Sequence, residues 1–175
     1  MMKDIVKPIV VLAAICLVVT ALLAGINSVT APVIAEADEK AAEQARQDVL
    51  ADADEFLEIK DVKVDGVTEM YRAANGAGYA FKLETKGYGG TIELMCGIKS
   101  DGSVESVQTL NHSETSGIGS RVVDNASAYR KNYEGKTADN YDGVDALTGA
   151  TISSKAYKKA IAAAFEAYEA VKEAK

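Results

Sequence analysis

The chain has 175 residues, of which 48% are apolar, with two cysteines, one histidine and no tryptophan. The apolar fraction excludes a wholly disordered chain, and a formal charge of −7, from 19 basic and 26 acidic side chains, excludes the basic footprint of a general nucleic-acid binder. One histidine and two cysteines are too few for a disulfide scaffold or for a zinc or iron–sulfur site, so we expect no metal site.

An uncharged apolar segment runs from Ile9 to Val29. As a helix it would be about 32 Å long, which spans a hydrocarbon core of about 30 Å. Lys3 and Lys7 precede it, and basic residues favour the cytoplasmic side. We therefore predict that residues 1–35 form a cytoplasmic tip and a single transmembrane anchor in the cell (inner) membrane, in contact with lipid, and that the rest is extracytoplasmic.

A cleaved signal peptide is the alternative interpretation of this segment. Residues 35–37, Ala-Glu-Ala, resemble a cleavage site. The apolar region of a signal peptide is normally only about 7–15 residues long, which favours the anchor.

The next segment, residues 36–57, is rich in alanine and in charge. Ala41, Ala45, Val49 and Ala53 recur at a spacing of four residues, which predicts a membrane-proximal helix after an interruption at Pro32. A purely solvated stalk is the alternative.

Residues 58–175 are predicted to form an extracytoplasmic domain. Apolar residues alternate over 78–83 and 91–99, a turn follows at 99–102, and a return strand covers 104–110. Cys96 belongs to this alternation and is expected in the core. A partly helical stretch at 120–135 precedes a terminal helix over 153–175, which Ser153 or Ser154 could cap. The pattern predicts an α+β fold, an antiparallel sheet with flanking helices, preceded by a single N-terminal transmembrane helix.

The run from Asp145 to Ser154 combines small residues and hydroxyls at the start of the terminal helix. Gly149 allows close approach of the backbone to a ligand, and the first amides of a helix favour an anion. The pattern is typical of a phosphate site, although it is not a P-loop. A well-capped helix that is rich in small residues is the alternative. Three lysines that follow would suit a bound anion: Lys155, Lys158 and Lys159.

A second polar run, residues 111–119, directly follows a predicted strand. It holds two glycines, three hydroxyl groups, a carboxylate and His112. Such a loop can hydrogen-bond a heterocycle through its backbone, and an ordinary connecting loop is the alternative. His112 has no partner fixed by spacing, and Tyr88 either stacks on a planar ligand or fills space.

These motifs carry a resemblance. Asp145, Thr148 to Thr151 and then Ser153 resemble the flavinylation signature Asp-x-x-Ser/Thr-Gly-Ala-Thr of the FMN-binding domain family. Residues 112–119 resemble that family's His-x-Glu-Thr-Pro-Gly-Leu-Gly loop, with Ser116 and Ile118 at the Pro and Leu positions. Residues 87–90 match its glycine cluster. With its single span, the chain resembles the family of G subunits of the Rnf ion-translocating electron-transport complex.

The resemblance implies that FMN is attached to the Thr151 hydroxyl through a phosphoester. An exported flavin transferase would transfer the FMN from FAD, with Mg²⁺, and release AMP, so this chain would be the acceptor and supply no catalytic residue. The implied phosphate cradle is Thr148, Gly149, Ala150 and Ser153. The implied contacts to the ring or ribityl chain are Glu114, Thr115, Gly117 and Gly119, with Tyr88, Gly89 and His112 as further candidates.

The resemblance also implies a role as an electron-carrying subunit, among other membrane subunits, of a ferredoxin:NAD oxidoreductase that translocates Na⁺ or H⁺. Since Ile9 to Val29 holds no charged residue, we expect the ion to pass through neighbouring subunits. The alternatives are the C subunit of the Na⁺-translocating quinone reductase, a free-standing flavinylated extracellular carrier, and a cofactor-free membrane-tethered binding module.

Overall fold

The computed structural model describes residues 2–173, with side chains over residues 6–173. The chain consists of two compact units, Met1–Lys40 and Ala41–Lys175. In chain order the elements are α1 (Met2–Val49), β1 (Phe56–Glu58), β2 (Val67–Ala73), β3 (Gly78–Lys86), β4 (Thr91–Lys99), β5 (Val104–His112), α2 (Ser120–Val123), two short 3₁₀ turns (Tyr129–Tyr133 and Tyr141–Gly143) and α3 (Thr151–Glu173).

The first unit consists of α1 residues whose large apolar side chains are exposed from Val6 to Ile34. Over residues 2–173, α1 is the one helix that is long and apolar enough to cross a membrane. The interruption expected at Pro32 is wrong, because α1 contains this proline. A proline removes one hydrogen bond from the helical ladder, and here the helix continues past it.

The second unit is built on an antiparallel sheet in which the strands follow one another in the order β1-β2-β3-β4-β5. Each strand pairs with the next in sequence, so short turns suffice to connect them. The predicted fold class, an antiparallel sheet with flanking helices behind an apolar N-terminal helix, is confirmed. The predicted strand over 91–99 matches β4.

One face of the sheet packs against α3. Ile92, Leu94, Cys96 and Ile98 alternate along β4 and are all fully buried in the cluster that contains α3. Each buried side chain of this size contributes about 1.5–3 kcal/mol. The predicted inner face of α3 is confirmed, since all of its members are buried: Tyr157, Ile161, Ala164, Phe165, Tyr168 and Val171.

The partly helical stretch expected at 120–135 is confirmed as α2 and the first 3₁₀ turn. This turn brings Tyr129 and Tyr133 against Tyr157 of α3, with ring centroids 5.6–6.2 Å apart. The aromatic cluster fixes the connection between β5 and α3 against the core.

The opposite face of the sheet packs against the last turns of α1. Ala42, Ala45 and Val49 are buried with Ala80 of β3 and Met95 of β4. Small helix residues suit this face, because they let the helix approach the strands closely.

The helix expected over residues 36–57 ends at Val49, and Phe56 and Leu57 belong to β1 instead. The Asp54 carboxylate accepts hydrogen bonds from the amides of Glu55 and Asn75. Short acidic side chains that bond the backbone in this way compete with a helical ladder. The acidic residues that follow Val49 therefore form a turn in place of further helix.

Gly97 allows the end of α1 to approach the sheet closely, because it has no side chain. A Cβ atom at Gly97 would overlap the backbone oxygen of Val49. We predict that Gly97→Ala lowers the free energy of unfolding by about 1–3 kcal/mol, because the helix must move away from the sheet. Urea denaturation of the chain in detergent, followed by far-UV circular dichroism, measures this change.

Gly143→Ala is the matched control for this substitution. No atom lies within 4 Å of a Cβ built at Gly143, so its effect is expected within about 0.5 kcal/mol. Equal stability of the two variants would contradict the proposed close approach.

Cys96 is fully buried, and burial raises the pKa of its thiol to about 12. In a chain that carries Cys16→Ser, we predict that Cys96 does not react with iodoacetamide at about pH 8 until urea unfolds the domain, because the nucleophile is the exposed thiolate. Mass spectrometry before and after unfolding counts the alkylated thiols. Alkylation of the folded chain at the rate seen for the unfolded chain would show that Cys96 is not in the core.

Candidate functional site

Three segments meet at one edge of the domain. They are the turn between β3 and β4 at residues 87–90, the loop that follows β5 at residues 113–119, and the start of α3. Between them lies a pocket of about 400 Å³, within the range typical of ligand sites. Its lining residues are Tyr88, Glu114, Thr115, Ile118, Gly119, Gly149, Ala150, Thr151, Ile152 and Ser153.

The start of α3 presents backbone amides to this pocket. Gly149 has a φ of +87°, which turns the chain into the helix. The first helical hydrogen bond runs from the Ser154 amide to the Ala150 carbonyl, at 2.9 Å. The amides of Thr151, Ile152 and Ser153 therefore lie before the helical ladder, where the helix dipole favours an anion.

Ser153 and Ser154 do not cap α3, which begins two residues earlier than expected. The Ser154 hydroxyl accepts a hydrogen bond from the Leu147 amide at 3.0 Å and donates to the Ala150 carbonyl at 2.9 Å. Ser154 thus braces the loop that leads into the helix. The Ser153 hydroxyl has a different partner, across the pocket.

Glu114 joins the three segments. It is only 8% exposed. Its Oε1 accepts a hydrogen bond from the Gly89 amide at 3.0 Å, and its Oε2 accepts one from the Ser153 hydroxyl at 2.6 Å. Buried carboxylates require such partners. A single side chain thereby ties the β3–β4 turn and the first turn of α3 to the loop after β5.

The glycines around Glu114 allow this approach. A Cβ atom at Gly87 or at Gly119 would overlap the Glu114 carboxylate. The glycine pattern of both loops therefore reflects the space that a buried carboxylate needs, in addition to any contact with a ligand.

His112 holds the backbone of Glu114 in place. The Glu114 amide donates to His112 Nδ1 at 3.2 Å, and His112 Nε2 lies 3.0 Å from Asp124 Oδ1. Since Nδ1 accepts a hydrogen bond, the ring proton is on Nε2 and is donated to Asp124. The sequence spacing did not indicate this carboxylate partner.

Three large apolar side chains that line the pocket are exposed. Tyr88 is 72% exposed, Ile118 53% and Ile152 56%. Exposed apolar groups gathered around one pocket indicate a binding surface for an apolar or planar ligand. Sequence reasoning missed Ile152, for which the available signal was a large aliphatic residue at the exposed start of a helix.

Eight of the twelve sequence-predicted site residues line the pocket, and four do not. Thr148 is exposed and precedes Gly149, while Gly117 lies in the loop before α2. The Gly89 amide donates a hydrogen bond to the Glu114 carboxylate, and His112 accepts one from the Glu114 amide. The binding role of all twelve stays a prediction.

Lys158 of α3 is paired outside the pocket. Lys158 donates to the Asp142 carbonyl at 2.7 Å and lies 3.2 Å from the Asp142 carboxylate. This ion pair explains the cation in the second turn of the helix without a bound anion.

Two family models match the chain. Residues 87–166 match the FMN-binding domain, which contains the pocket, and residues 1–49 match the RnfG N-terminal region.

Relatives match over most of their length. The G subunit of the proton-translocating ferredoxin:NAD(+) oxidoreductase complex of Clostridium ljungdahlii is 31% identical, over 86% of this chain and 84% of that protein. The G subunit of the Na(+)-translocating ferredoxin:NAD(+) oxidoreductase complex of Acetobacterium woodii is 28% identical, over 95% and 93%. The G subunit of the ion-translocating oxidoreductase complex of Methanosarcina acetivorans is 30% identical, over 94% of each chain.

The hydrogen bonds that Glu114 accepts from Gly89 and Ser153 should stabilise the fold. Glu114→Ala leaves the Gly89 amide and the Ser153 hydroxyl without their acceptor, so we expect a loss of about 2–3 kcal/mol in the free energy of unfolding. Urea denaturation measures it, with Glu166→Ala as the control, because Glu166 is exposed on α3. Indistinguishable unfolding curves for the two variants would contradict the joining role of Glu114.

Proposed function

This chain belongs to the family of G subunits of ion-translocating oxidoreductase complexes, and from this premise we propose that it carries electrons on FMN attached covalently to Thr151. The observation that carries the proposal is the position of Thr151. It lines the pocket at the first turn of α3, next to amides that precede the helical ladder.

The residues of the pocket fit both ends of FMN. At one end, the amides of Thr151 to Ser153 and the positive end of the α3 dipole suit a phosphodiester, and Gly149 leaves room for it. At the other end, Tyr88, Ile118 and Ile152 offer exposed apolar surface to a planar ring. When bound, FMN supplies reversible transfer of one or two electrons.

The side chains around the pocket position the group and exclude water. Contact with the flavin ring would remove the exposed apolar surface of Tyr88, Ile118 and Ile152 from solvent. Glu114 holds the β3–β4 turn and the start of α3 at a fixed separation through its bonds to Gly89 and Ser153. Thr151 is exposed, so an enzyme that brings FMN can reach this residue.

The covalent link requires a maturation partner. We propose that a flavin transferase acts on the folded chain, because Thr151 is already exposed at the start of a helix. The chain itself then performs no catalysis and serves as the acceptor. A covalent link keeps the cofactor on a domain from which free FMN would otherwise diffuse away.

The chain is a single-pass membrane protein through α1, and we propose that α1 contacts lipid and that the N-terminus faces the cytoplasm. The basic side chains Lys3 and Lys7 support this orientation. The FMN-carrying domain then lies on the extracytoplasmic side. Further membrane subunits of the complex donate and accept its electrons.

The proposed complex oxidises ferredoxin, reduces NAD⁺ and translocates Na⁺ or H⁺. The names of the relatives include both ions, so the family does not select one. The segment from Ile9 to Val29 carries no charged side chain, and charged side chains normally mark an ion path through a membrane. We propose that neighbouring subunits conduct the ion.

The attachment site is tested by coexpression of the chain with a flavin transferase. After denaturing electrophoresis, the wild-type band is expected to fluoresce as a flavin, and Thr151→Ala is expected to abolish the fluorescence while the circular dichroism of the domain is unchanged. Thr91→Ala is the matched control, because Thr91 is an exposed threonine on β4, outside the pocket lining.

A dark wild-type band in the presence of active transferase would favour the cofactor-free binding module. A fluorescent Thr151→Ala band would place the covalent bond on another residue. Copurification of the other subunits of a ferredoxin:NAD oxidoreductase separates the proposed complex from a quinone reductase or a free-standing carrier.

A further inference from the structure

We infer that Ser153, oriented by Glu114, acts as a hydrogen-bond acceptor that selects a donor group on the flavin, and that its hydroxyl does not bind the phosphate. The inference rests on the proposed function, because it concerns the same pocket. It assigns different parts of the ligand to the Thr151 hydroxyl and the Ser153 hydroxyl, which the signature motif places two residues apart.

The Ser153 hydroxyl has a single proton. This proton is donated to Glu114 Oε2, with 2.6 Å between the two oxygens. A hydroxyl has one donor and two acceptor positions. With its proton engaged, Ser153 Oγ presents only lone pairs to the pocket that it lines.

Burial keeps this arrangement in place. Ser153 is 2% exposed and Glu114 is 8% exposed, so water cannot readily replace either partner. The second carboxylate oxygen is held by the Gly89 amide, which prevents rotation of the carboxylate away from Ser153. Glu114 is therefore a positioning residue, which acts on the ligand through the direction of the Ser153 hydroxyl.

The charge of Glu114 disfavours an anion at the same place. A phosphodiester has no proton to donate, and it would meet both the lone pairs of Ser153 and a neighbouring carboxylate. The backbone amides of Thr151 to Ser153 and the dipole of α3 remain suitable for the phosphate. Ser153 therefore contributes its amide to the phosphate and its side chain to a different part of the ligand.

The complementary ligand group is an O–H or N–H donor. In FMN this chemistry occurs in the hydroxyls of the ribityl chain and in the imide N–H of the ring. Both would satisfy the Ser153 lone pairs, and they are distinguished by their effect on the ring. A bond to the imide changes the visible absorption of the flavin, and a bond to a ribityl hydroxyl does not.

A thermodynamic cycle tests this inference. The full chain is prepared in detergent as wild type, Ser153→Ala and Glu114→Gln, each with and without flavin attached by the transferase. Urea unfolding of each form, followed by far-UV circular dichroism, gives the stabilisation of the fold by the flavin. A purely structural effect of a substitution is the same with and without flavin and cancels in this comparison.

We expect Ser153→Ala to reduce the stabilisation by flavin about fivefold in the unfolding equilibrium constant, as for one lost hydrogen bond. Glu114→Gln should produce the same loss. The glutamine amide can donate to Ser153 Oγ, which releases the hydroxyl proton towards the ligand donor. Glu166→Gln, an exposed substitution on α3, should leave the stabilisation unchanged. Visible spectra of the flavinylated variants then identify the donor as imide or ribityl hydroxyl.

Two results would overturn the inference and leave the proposed function standing. One is an equal loss of stability in Ser153→Ala with and without flavin. The other is a stronger stabilisation by flavin in Glu114→Gln, which would mean that the released hydroxyl donates to the phosphate. If Ser153→Ala does not fold, Glu114→Gln decides the question. A wild-type chain that acquires no flavin at Thr151 overturns the proposed function, and this inference with it.

Discussion

The buried carboxylate of Glu114 is the constraint on which the pocket depends. Loops from three parts of the chain surround it, and each supplies a donor or a glycine that leaves it space. The hydrogen bonds from the Gly89 amide and from the Ser153 hydroxyl both end on this carboxylate, which thereby connects the β3–β4 turn to the start of α3 at the pocket. The same carboxylate accepts the proton of the Ser153 hydroxyl, and it therefore also determines what this side chain offers to the pocket.

The sheet provides the rigid frame for these loops. Its two faces are covered differently, by the long apolar side of α3 and by the small residues at the end of α1. β4 contributes to both contacts, with Leu94, Cys96 and Ile98 on one face and Met95 on the other. Because α3 packs along the sheet over many buried residues, its first turn is held in a fixed position, as a preorganised phosphate site requires.

Much of this architecture follows from local patterns in the sequence. The alternation along β4 and the apolar face of α3 each fit only one burial pattern. The two polar motifs lie on the loop after β5 and at the start of α3, where most of their predicted site residues line one pocket, and their binding role stays a prediction. The end of α1 was not predictable, since the alanine-rich pattern continues past Val49 while Asp54 bonds the backbone of a turn. Hydrogen-bond and ion-pair partners that are distant in the sequence could not be predicted either. His112 with Asp124, Glu114 with Ser153, and Lys158 with Asp142 depend on how separate elements pack, and no spacing rule encodes them.

Peptide mass mapping of the chain from native membranes determines whether the Thr151 hydroxyl is esterified. We expect the peptide that contains Thr151 to carry the added mass of FMN less water, with fragment ions that place this mass on residue 151. An unmodified peptide from cells with active flavin transferase, or the added mass on a different residue, would contradict it.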